Sequence, residues 1–276
     1  MMKKRLLFLD LDGTLLNDEK QITQGNRDAL NQALDRGHGV IITTGRPLKS
    51  ALAQSRRLGL DKPGCYVIAY NGAMVYDWSI QDKVFSRTLD IPSVIRVFEK
   101  ANEMDEHIQT YDSFDVLVEA RGDDEAVRRY CKMVSMTYRV IGDVHTDLQE
   151  APVKCLVINY EKKDGLLKMQ AWIRENMPEM DCFFSCEQFL EVVPKGMNKG
   201  EAVKMLCAMQ NVSIADAVAV GDAANDLAMI KAAGIGVAMA NGTQEVKAVA
   251  DYITQRDNNH DGIQEVVEHF LGEYAQ

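Results

Sequence analysis

The sequence predicts an α/β fold, a Rossmann-like doubly wound parallel sheet into which a smaller α+β domain is inserted. Strand-like and helix-like segments alternate through the first and last thirds of the chain, which implies a parallel sheet with right-handed crossovers. The middle third follows a different pattern. A length of 276 residues also favours two domains over one.

The first third is predicted to form strand, helix, strand, helix and strand. Thr23 is placed to cap the first helix, Gly37 to end it, and Pro47 to stand in the first turn of the second helix. Asn71-Gly72, after the third strand, indicates a hairpin turn. The predicted strands cover residues 5–11, 39–43 and 66–70.

The last third returns to the same alternation. A helix is predicted to follow Asn198, and short helices around Val246 and Val266 complete the pattern. Between them the sequence predicts strands over residues 217–220 and 235–239, and a helix over residues 226–233 that Gly234 ends.

Residues 81–194 are predicted to form the inserted domain, and residues 1–80 and 195–276 the core domain. Several strand-like runs of the insert alternate apolar and polar residues, as antiparallel strands do when one face of the sheet is solvated. Its predicted helices cover residues 94–104, 124–134 and 166–177, and its predicted strands cover 115–119, 153–160, 182–185 and 189–193.

The composition is that of an ordinary globular protein, with 46% hydrophobic and 26% charged residues. No uninterrupted apolar segment is long enough to span a bilayer, and the apolar run after the basic N-terminus stops after four residues, too short for a secretory signal. A cytoplasmic protein is therefore expected. The six cysteines form no paired zinc spacing, and we expect buried free thiols.

The net charge of -10 argues against nucleic acid or an anionic membrane as a partner, because both need a basic face. A small anionic substrate is not excluded, since a bound divalent cation and a few local Lys or Arg residues can reverse the potential inside one cleft. Nothing in the sequence separates a monomer from a homodimer.

The most informative motif follows the apolar run over residues 6–9. Asp10 and Asp12 are two apart, so on a strand they project from the same face. Two close carboxylates repel unless a cation binds or a proton is shared. A hard metal ion suits such oxygen ligands, and a carboxylate can also be a nucleophile. Gly13 permits a sharp turn that Thr14 can cap, although a turn with two solvated Asp residues would look the same.

Three further motifs fall at or just beyond strand ends of the core domain, at the sheet edge where ligands bind. The first motif offers a hydroxyl and exposed N–H groups ahead of a helix, which could form either a phosphate cradle or a simple helix cap. The second motif places a Lys at a helix N-terminus, where the helix dipole favours anions. The third motif is another acidic segment at a strand end. They are Thr43-Thr44-Gly45-Arg46, Asn198-Lys199-Gly200 and Gly221-Asp222-Ala223-Ala224-Asn225-Asp226.

Competing motifs fail on their spacing. The first Asp pair lacks the Gly and Glu of an EF-hand loop, since Gln21 stands at the twelfth position. No P-loop sequence occurs, and Gly234-Ile235-Gly236 follows a helix rather than a strand, against a dinucleotide site. The five histidines fit no metal or triad pattern.

Together the four motifs resemble the signature motifs of the haloacid dehalogenase-like superfamily. Three further features resemble its Cof-type sugar-phosphate phosphatases: the large insertion after the third strand, Asn71-Gly72-Ala73, and the run Phe189-Leu190-Glu191-Val192 ahead of Asn198-Lys199-Gly200. The resemblance spans the whole chain, although the insert carries little sequence signature.

Residues and resemblance together lead to a Mg²⁺-dependent hydrolase of small phosphate monoesters, with sugar phosphates as the expected partners. Asp10 would be the nucleophile and Asp12 the general acid and base. The expected metal ligands are Asp10, the Asp12 backbone carbonyl and Asp222. Arg46 and Asp226 would have supporting roles. The phosphate would be held by Leu11 through its backbone, Thr44, Gly45, Lys199 and Asn225.

The insert would act as a cap that excludes water and contacts the leaving group. Candidate contacts are Tyr111, Asp112, Arg121 and Glu187, each of which could equally be an ordinary fold or surface residue, together with Asn71 and Gly72. Two alternatives stay open: a phosphohexomutase, which shares the nucleophile and acid, and a catalytically silent binding or regulatory protein on the same scaffold.

Overall fold

The computed structural model describes residues 3–161 and 163–272, in two compact units. Unit 1 comprises Met1–Phe85 and Asn198–Gln276, and unit 2 comprises Ser86–Met197. The divisions therefore fall after residues 85 and 197, where the sequence predicts them after residues 80 and 194. Among the described residues, no helix is both long enough and apolar enough to cross a membrane.

The first segment of unit 1 contains five strands and two α-helices among its described residues. Thr23 directly precedes the first helix as predicted, but its side chain makes no capping hydrogen bond. Gly59, at φ 74°, ends the second helix in the left-handed conformation that glycine adopts readily. The elements are β1 (Leu6–Leu9), α1 (Gln24–Asp35), β2 (Gly39–Thr43), α2 (Leu48–Leu58), β3 (Cys65–Ala69), β4 (Met74–Asp77) and β5 (Asp82–Ser86).

Unit 2 follows with four helices and six strands among its described residues. Its helices begin at acidic caps where the sequence offers them: Asp124, for example, accepts hydrogen bonds from the N–H groups of Ala126 and Val127. The elements are α3 (Ile91–Glu103), β6 (His107–Tyr111), β7 (Val116–Glu119), α4 (Glu125–Val134), β8 (Tyr138–Ile141), α5 (Val144–Asp147), β9 (Cys155–Ile158), α6 (Lys163–Asn176), β10 (Met180–Cys186) and β11 (Phe189–Pro194).

The chain then returns to unit 1. Asn198 caps the first helix of this segment by accepting a hydrogen bond from the N–H of Glu201 at 3.0 Å. The elements are α7 (Lys199–Met209), β12 (Ala217–Gly221), α8 (Leu227–Ala232), β13 (Ile235–Ala238), α9 (Gln244–Lys247), β14 (Tyr252–Ile253) and α10 (Gly262–Phe270).

The sheet of unit 1 has the order β14-β13-β12-β1-β2-β3-β4-β5. Its first six strands run parallel, and β4 is antiparallel to β3 across the hairpin that Asn71-Gly72 predicts. The sheet of unit 2 has the order β10-β11-β9-β6-β7-β8 and is mostly antiparallel. The predicted α/β fold with a parallel sheet and an α+β insert is confirmed.

Each unit has its own hydrophobic core. In unit 1 the sheet residues Phe8, Ile41 and Ala219 pack with the apolar face of α7, including Leu206. In unit 2 the helices α3 and α6 cover one face of the sheet, with Phe98 fully buried. The six cysteines are unbridged and five are buried, but Cys186 is exposed, so the expectation of buried thiols is wrong for that residue.

Candidate active site

The register of three parallel strands places the motifs beside one another. Leu9 on β1 pairs with Val220 on β12 and with Ile42 on β2. The residues that follow each strand therefore leave the sheet at one edge, its carboxyl edge. Asp10, Thr44 and Asp222 follow these three strands, as the sequence predicts.

Lys199 lies between two carboxylates at this edge. Its Nζ donates hydrogen bonds to Asp10 Oδ1 at 2.5 Å and to Asp226 Oδ1 at 2.6 Å. The side chains of Lys199 and Asp226 are fully buried, and that of Asp10 is 9% exposed. Burial alone would lower the pKa of Lys199, but Asp10 and Asp226 outweigh it and hold that pKa above its ordinary value. Lys199 is therefore a permanent ammonium.

Asp226 organises the loop after β12. Besides its contact with Lys199, its Oδ2 accepts hydrogen bonds from the N–H groups of Asp222 at 3.0 Å and Ala223 at 3.1 Å. Gly221 allows this close approach, because a Cβ there would lie 2.4 Å from the Asp226 side chain. Both carboxylate oxygens are thus committed to donors from the protein, which is the geometry of a supporting residue.

Asp222 is joined to the loop that carries Asp10. Its Oδ1 accepts a hydrogen bond from the Thr14 hydroxyl at 2.7 Å. Gly13 adopts φ 83°, and a Cβ on it would lie 2.5 Å from Asp222 Oδ2. Gly13 is therefore required both for its backbone conformation and for the close contact. The Thr14 side chain holds Asp222 rather than making a local cap.

Asp10, Asp222 and Asp226 form an acidic cluster in which one oxygen of each lies within 4.8 Å of the others. Burial, with the charges of Asp226 and Asp222, raises the pKa of Asp10 to about 8, although Lys199 acts in the opposite direction. Burial also raises the pKa of Asp222 to about 6. One ammonium does not balance three carboxylates. A hard divalent cation with oxygen ligands therefore fits here, and Asp10 and Asp222 have the uncommitted oxygens to hold it.

Asp12 is not a member of this cluster. Its carboxylate accepts a bidentate pair of hydrogen bonds from Arg46, the shortest at 2.8 Å, and a further one from Lys20 at 2.9 Å. Burial would raise the pKa of Asp12, but Arg46 and Lys20 outweigh it and lower that pKa. The metal contact predicted for Asp12 goes through its backbone carbonyl and stays a prediction.

The loop after β2 is held by the turn after β3. The N–H of Tyr70 donates to the Arg46 carbonyl and the N–H of Asn71 to the Thr44 carbonyl, both at 3.1 Å. Within the loop, the Thr44 hydroxyl accepts a hydrogen bond from the N–H of Arg46 at 3.2 Å. Gly45 faces the Asn71 amide, which lies 3.0 Å from where a Cβ on Gly45 would be.

The remaining predicted phosphate ligands differ in accessibility. Leu11 is buried, so that only its backbone could reach a ligand, and Asn225 is partly exposed after β12. Sequence reasoning missed Lys20 as a partner of Asp12, because the segment after the first motif has no regular pattern. The contact of Thr14 with Asp222 was also missed, since it joins two segments distant in the chain.

In unit 2, most candidate leaving-group residues have partners within the fold. The Tyr111 hydroxyl donates to the Tyr130 hydroxyl at 2.8 Å. Asp112 pairs with Arg139, and Arg121 pairs with Asp105. Glu187 is exposed. Their proposed contacts with substrate stay predictions.

Comparison with known proteins identifies the family. The model of the haloacid dehalogenase-like hydrolases matches residues 7–267. The chain belongs to this family. YxeH of Bacillus subtilis, provisionally named a phosphatase, is 31% identical over 93% of this chain and 94% of its own length.

Two further similarities cover almost the whole chain. YcsE of Bacillus subtilis, named a 5-amino-6-(5-phospho-D-ribitylamino)uracil phosphatase, is 29% identical over 97% of this chain and 96% of its own length. The crystal structure of a haloacid dehalogenase-like hydrolase from Bacteroides thetaiotaomicron superposes with a TM-score of 0.87 and covers 96% of this chain and 99% of the hydrolase chain. The two sequences are 31% identical. The predicted Cof-type family and the predicted class of phosphoric monoester hydrolase are confirmed.

Proposed function

We propose that this chain is a Mg²⁺-dependent phosphatase that hydrolyses small phosphate monoesters, sugar phosphates among them, through an aspartyl-phosphate on Asp10. The observation that carries the proposal is the buried setting of Asp10, beside the Lys199 ammonium and close to Asp222. A carboxylate with a fixed cation on one oxygen and a place for a second cation is suited to attack phosphorus without being repelled by the phosphate charge.

In the first step, Asp10 attacks the phosphorus in line with the ester oxygen. A bond forms between a carboxylate oxygen and phosphorus, and the bond between phosphorus and the ester oxygen breaks. The departing alkoxide takes a proton from Asp12 and leaves as the alcohol. Lys199 stays an ammonium throughout and offsets the charge of Asp10 and of the phosphoryl group.

In the second step, Asp12 withdraws a proton from water, which attacks the phosphorus of the aspartyl-phosphate, releases phosphate and restores Asp10. The pairing with Arg46 and Lys20 favours the carboxylate form of Asp12, which suits this step. The same pairing opposes the proton that the first step needs, so Arg46 must loosen its bidentate contact during the first step.

Mg²⁺ would be held by Asp10, Asp222 and the Asp12 carbonyl, where it supplies positive charge and polarises a phosphoryl oxygen. Thr44, Asn225 and the backbone N–H groups of Leu11 and Gly45 would hold the other phosphoryl oxygens, on which transition-state charge is spread. The insert, predicted over residues 81–194, would exclude water and contact the leaving group.

The substrate class rests on two arguments. The sequence resembles the Cof-type sugar-phosphate phosphatases, and the name of YcsE specifies a phosphorylated ribityl compound, which is also a polyol phosphate. Both favour a small hydroxylated alcohol as the leaving group. A phosphohexomutase would release an isomerised sugar phosphate instead of inorganic phosphate, which separates it from the proposed function.

The test compares Asp10→Asn with Asp12→Asn on p-nitrophenyl phosphate and on a sugar phosphate. Asp10→Asn should abolish turnover of both. Asp12→Asn should slow sugar phosphate turnover by about 10²–10⁴-fold, because general acid catalysis is lost. On p-nitrophenyl phosphate it should release a burst of one p-nitrophenolate per active site, since this leaving group needs no proton while hydrolysis of the intermediate still needs a base.

Asp61→Asn, at an exposed position outside the site, is the matched control and should keep full activity. Undiminished hydrolysis by Asp10→Asn contradicts the mechanism. Absence of Mg²⁺-dependent hydrolysis by the unaltered protein across a broad panel of phosphate esters would favour the catalytically silent alternative.

A further inference from the structure

The Asn71 side chain is buried with its hydrogen-bonding capacity unused. The residue is 2% exposed, and neither its Oδ1 nor its Nδ2 has a hydrogen-bond partner among the described residues. A buried amide normally satisfies both atoms, because leaving them unpaired costs free energy. Such a group at the edge of an active site is a candidate for binding a ligand.

The backbone holds this amide in place. Asn71 adopts a left-handed conformation, φ 55° and ψ 29°, and its N–H donates to the Thr44 carbonyl at 3.1 Å. Its Oδ1 and Nδ2 lie 3.0 and 3.1 Å from where a Cβ on Gly45 would be. The next residue, Gly72, lies against Asn198, whose carbonyl would be 2.5 Å from a Cβ at that position.

These contacts place Asn71 between the two segments that carry Thr44 and Lys199. Both segments are predicted to hold phosphate, so a phosphate ester held by both would have its first carbons near this part of the edge. The left-handed backbone conformation is uncommon for residues other than glycine and is tolerated best by Asn and Asp. The side-chain amide is thus buried beside the segment that carries Thr44 and Gly45.

The two unpaired atoms restrict the chemistry of the ligand. Nδ2 can donate and Oδ1 can only accept. A phosphoryl oxygen of a dianion could accept a hydrogen bond from Nδ2. It has no proton to donate to Oδ1 and would be repelled by that oxygen. A hydroxyl group both accepts and donates, so one or two hydroxyls satisfy the whole amide.

We propose that Asn71 binds a hydroxyl of the leaving alcohol close to the phosphate, and thereby selects phosphate esters of sugars and polyols over those of simple alcohols. This inference rests on the proposed phosphatase function, which it extends by assigning a residue that distinguishes substrates. Tyr111, Asp112 and Arg121 have protein partners for their side-chain polar groups, whereas the side-chain amide of Asn71 has none among the described residues.

The test uses two esters that differ by one hydroxyl, 2-hydroxyethyl phosphate and ethyl phosphate, with Mg²⁺ present. The unaltered protein should prefer the hydroxylated ester by about 10- to 100-fold in kcat/KM, because the amide is paired only with that ester. Asn71→Gly removes the amide and keeps the left-handed backbone accessible. It should reduce the preference to less than about threefold, mainly by losing activity on 2-hydroxyethyl phosphate.

Asn26→Ala is the matched control. Asn26 is also fully buried with an unpaired Nδ2, but it lies on α1 and its Oδ1 accepts from the N–H of Gln264 at 2.8 Å. This variant should lower the midpoint of thermal unfolding and leave the preference between the two esters unchanged. Circular dichroism of both variants checks that each is folded.

The outcomes distinguish this inference from the proposed function. If Asn71→Gly keeps the preference of the unaltered protein, or slows both esters equally, Asn71 does not bind the hydroxyl although the phosphatase function stands. If the unaltered protein hydrolyses neither ester and does not hydrolyse p-nitrophenyl phosphate, both the function and the inference are contradicted.

Discussion

At the scale of single residues, Lys199 decides how the acidic cluster is organised. Its ammonium is buried between Asp10 and Asp226, which it pairs at 2.5 and 2.6 Å. Asp226 is then fully occupied by Lys199 and two backbone N–H groups. The negative charge that remains is concentrated on Asp10 and Asp222, the two groups that a divalent cation would bind.

The metal-free protein should therefore lose stability as the pH rises. An unfolded Asp has a pKa of about 4, whereas burial raises the pKa of Asp222 to about 6 and that of Asp10 to about 8. The stability contributed by the protonated forms is complete below about pH 4 and is lost as the pH rises through the folded values. For Asp222 alone the loss is on the order of 2–3 kcal/mol.

Chemical denaturation with a chelator, at about pH 5 and about pH 8, measures this effect. We compare the free energy of unfolding of Asp222→Asn with that of the unaltered protein. The difference should shift in favour of the variant between the lower and the higher pH, because the variant has no carboxyl group at this position to lose its proton. Mg²⁺ should stabilise the unaltered protein, more strongly at the higher pH, and should have little effect on Asp222→Asn. An equal effect of Mg²⁺ on both proteins would place the cation elsewhere.

At the scale of elements, the close contact of α7 with α8 positions Lys199. Gly200, the second residue of α7, is buried, and a Cβ on it would lie 2.3 Å from the Ala228 carbonyl. Helix propensity favours Ala over Gly by about 1 kcal/mol, but a clash with backbone cannot be relieved by a rotamer change. Packing therefore determines the residue at this position.

Gly200→Ala should destabilise the protein by about 1–3 kcal/mol, because the helices must separate. It should also lower kcat, since Lys199 would move relative to Asp10. Lys204→Ala, on the exposed side of α7, is the control and should change stability by less than about 0.5 kcal/mol. Denaturation midpoints measure both variants, and a stabilised Gly200→Ala would show that helix propensity outweighs the contact.

Individual elements differ in how far their sequence predicts them. The helices α3, α4 and α6 of unit 2 begin and end within a few residues of the prediction because their apolar residues repeat with helical spacing, whereas the single-turn helix α5 was missed. Strand β6 was missed, since Gln109 and Thr110 are fully buried and break the apolar pattern. Their side chains bond to the Tyr111 hydroxyl and the Lys154 carbonyl, partners that only the folded chain provides.

Strand β8 was missed for a different reason. It has four residues at the edge of the sheet, and Val140 within it is exposed. A short edge strand carries no burial pattern of its own, because its place is set by pairing with β7. The same holds for the two-residue strand β14.

At the scale of the whole molecule, the chain contains two units with separate hydrophobic cores. Ser86–Met197 is inserted into unit 1 but has its own six-stranded sheet and covering helices. A domain with its own core should fold without the rest of the chain. We therefore expect Ser86–Met197, produced alone, to unfold cooperatively.

Phe98→Ala in the same fragment is the control. Phe98 is fully buried in the core of unit 2, and its truncation should cost about 3–5 kcal/mol. Urea denaturation followed by circular dichroism should show a cooperative transition for the fragment and a much weaker or absent one for the variant. A fragment without any cooperative transition would mean that the insert depends on unit 1.

The sequence by itself determined the alternation of strands and helices in the core domain and the presence of an inserted domain. It also determined the family and the identity of the acidic and basic residues at the sheet edge. These features are local, since strand ends, turns and motif spacing are set by neighbouring residues. The tertiary structure decided how the charges pair: Asp12 with Arg46 and Lys20, Lys199 with Asp10 and Asp226, and the Asn71 amide with no partner among the described residues. Pairing depends on distances between segments far apart in the chain, which no local pattern records.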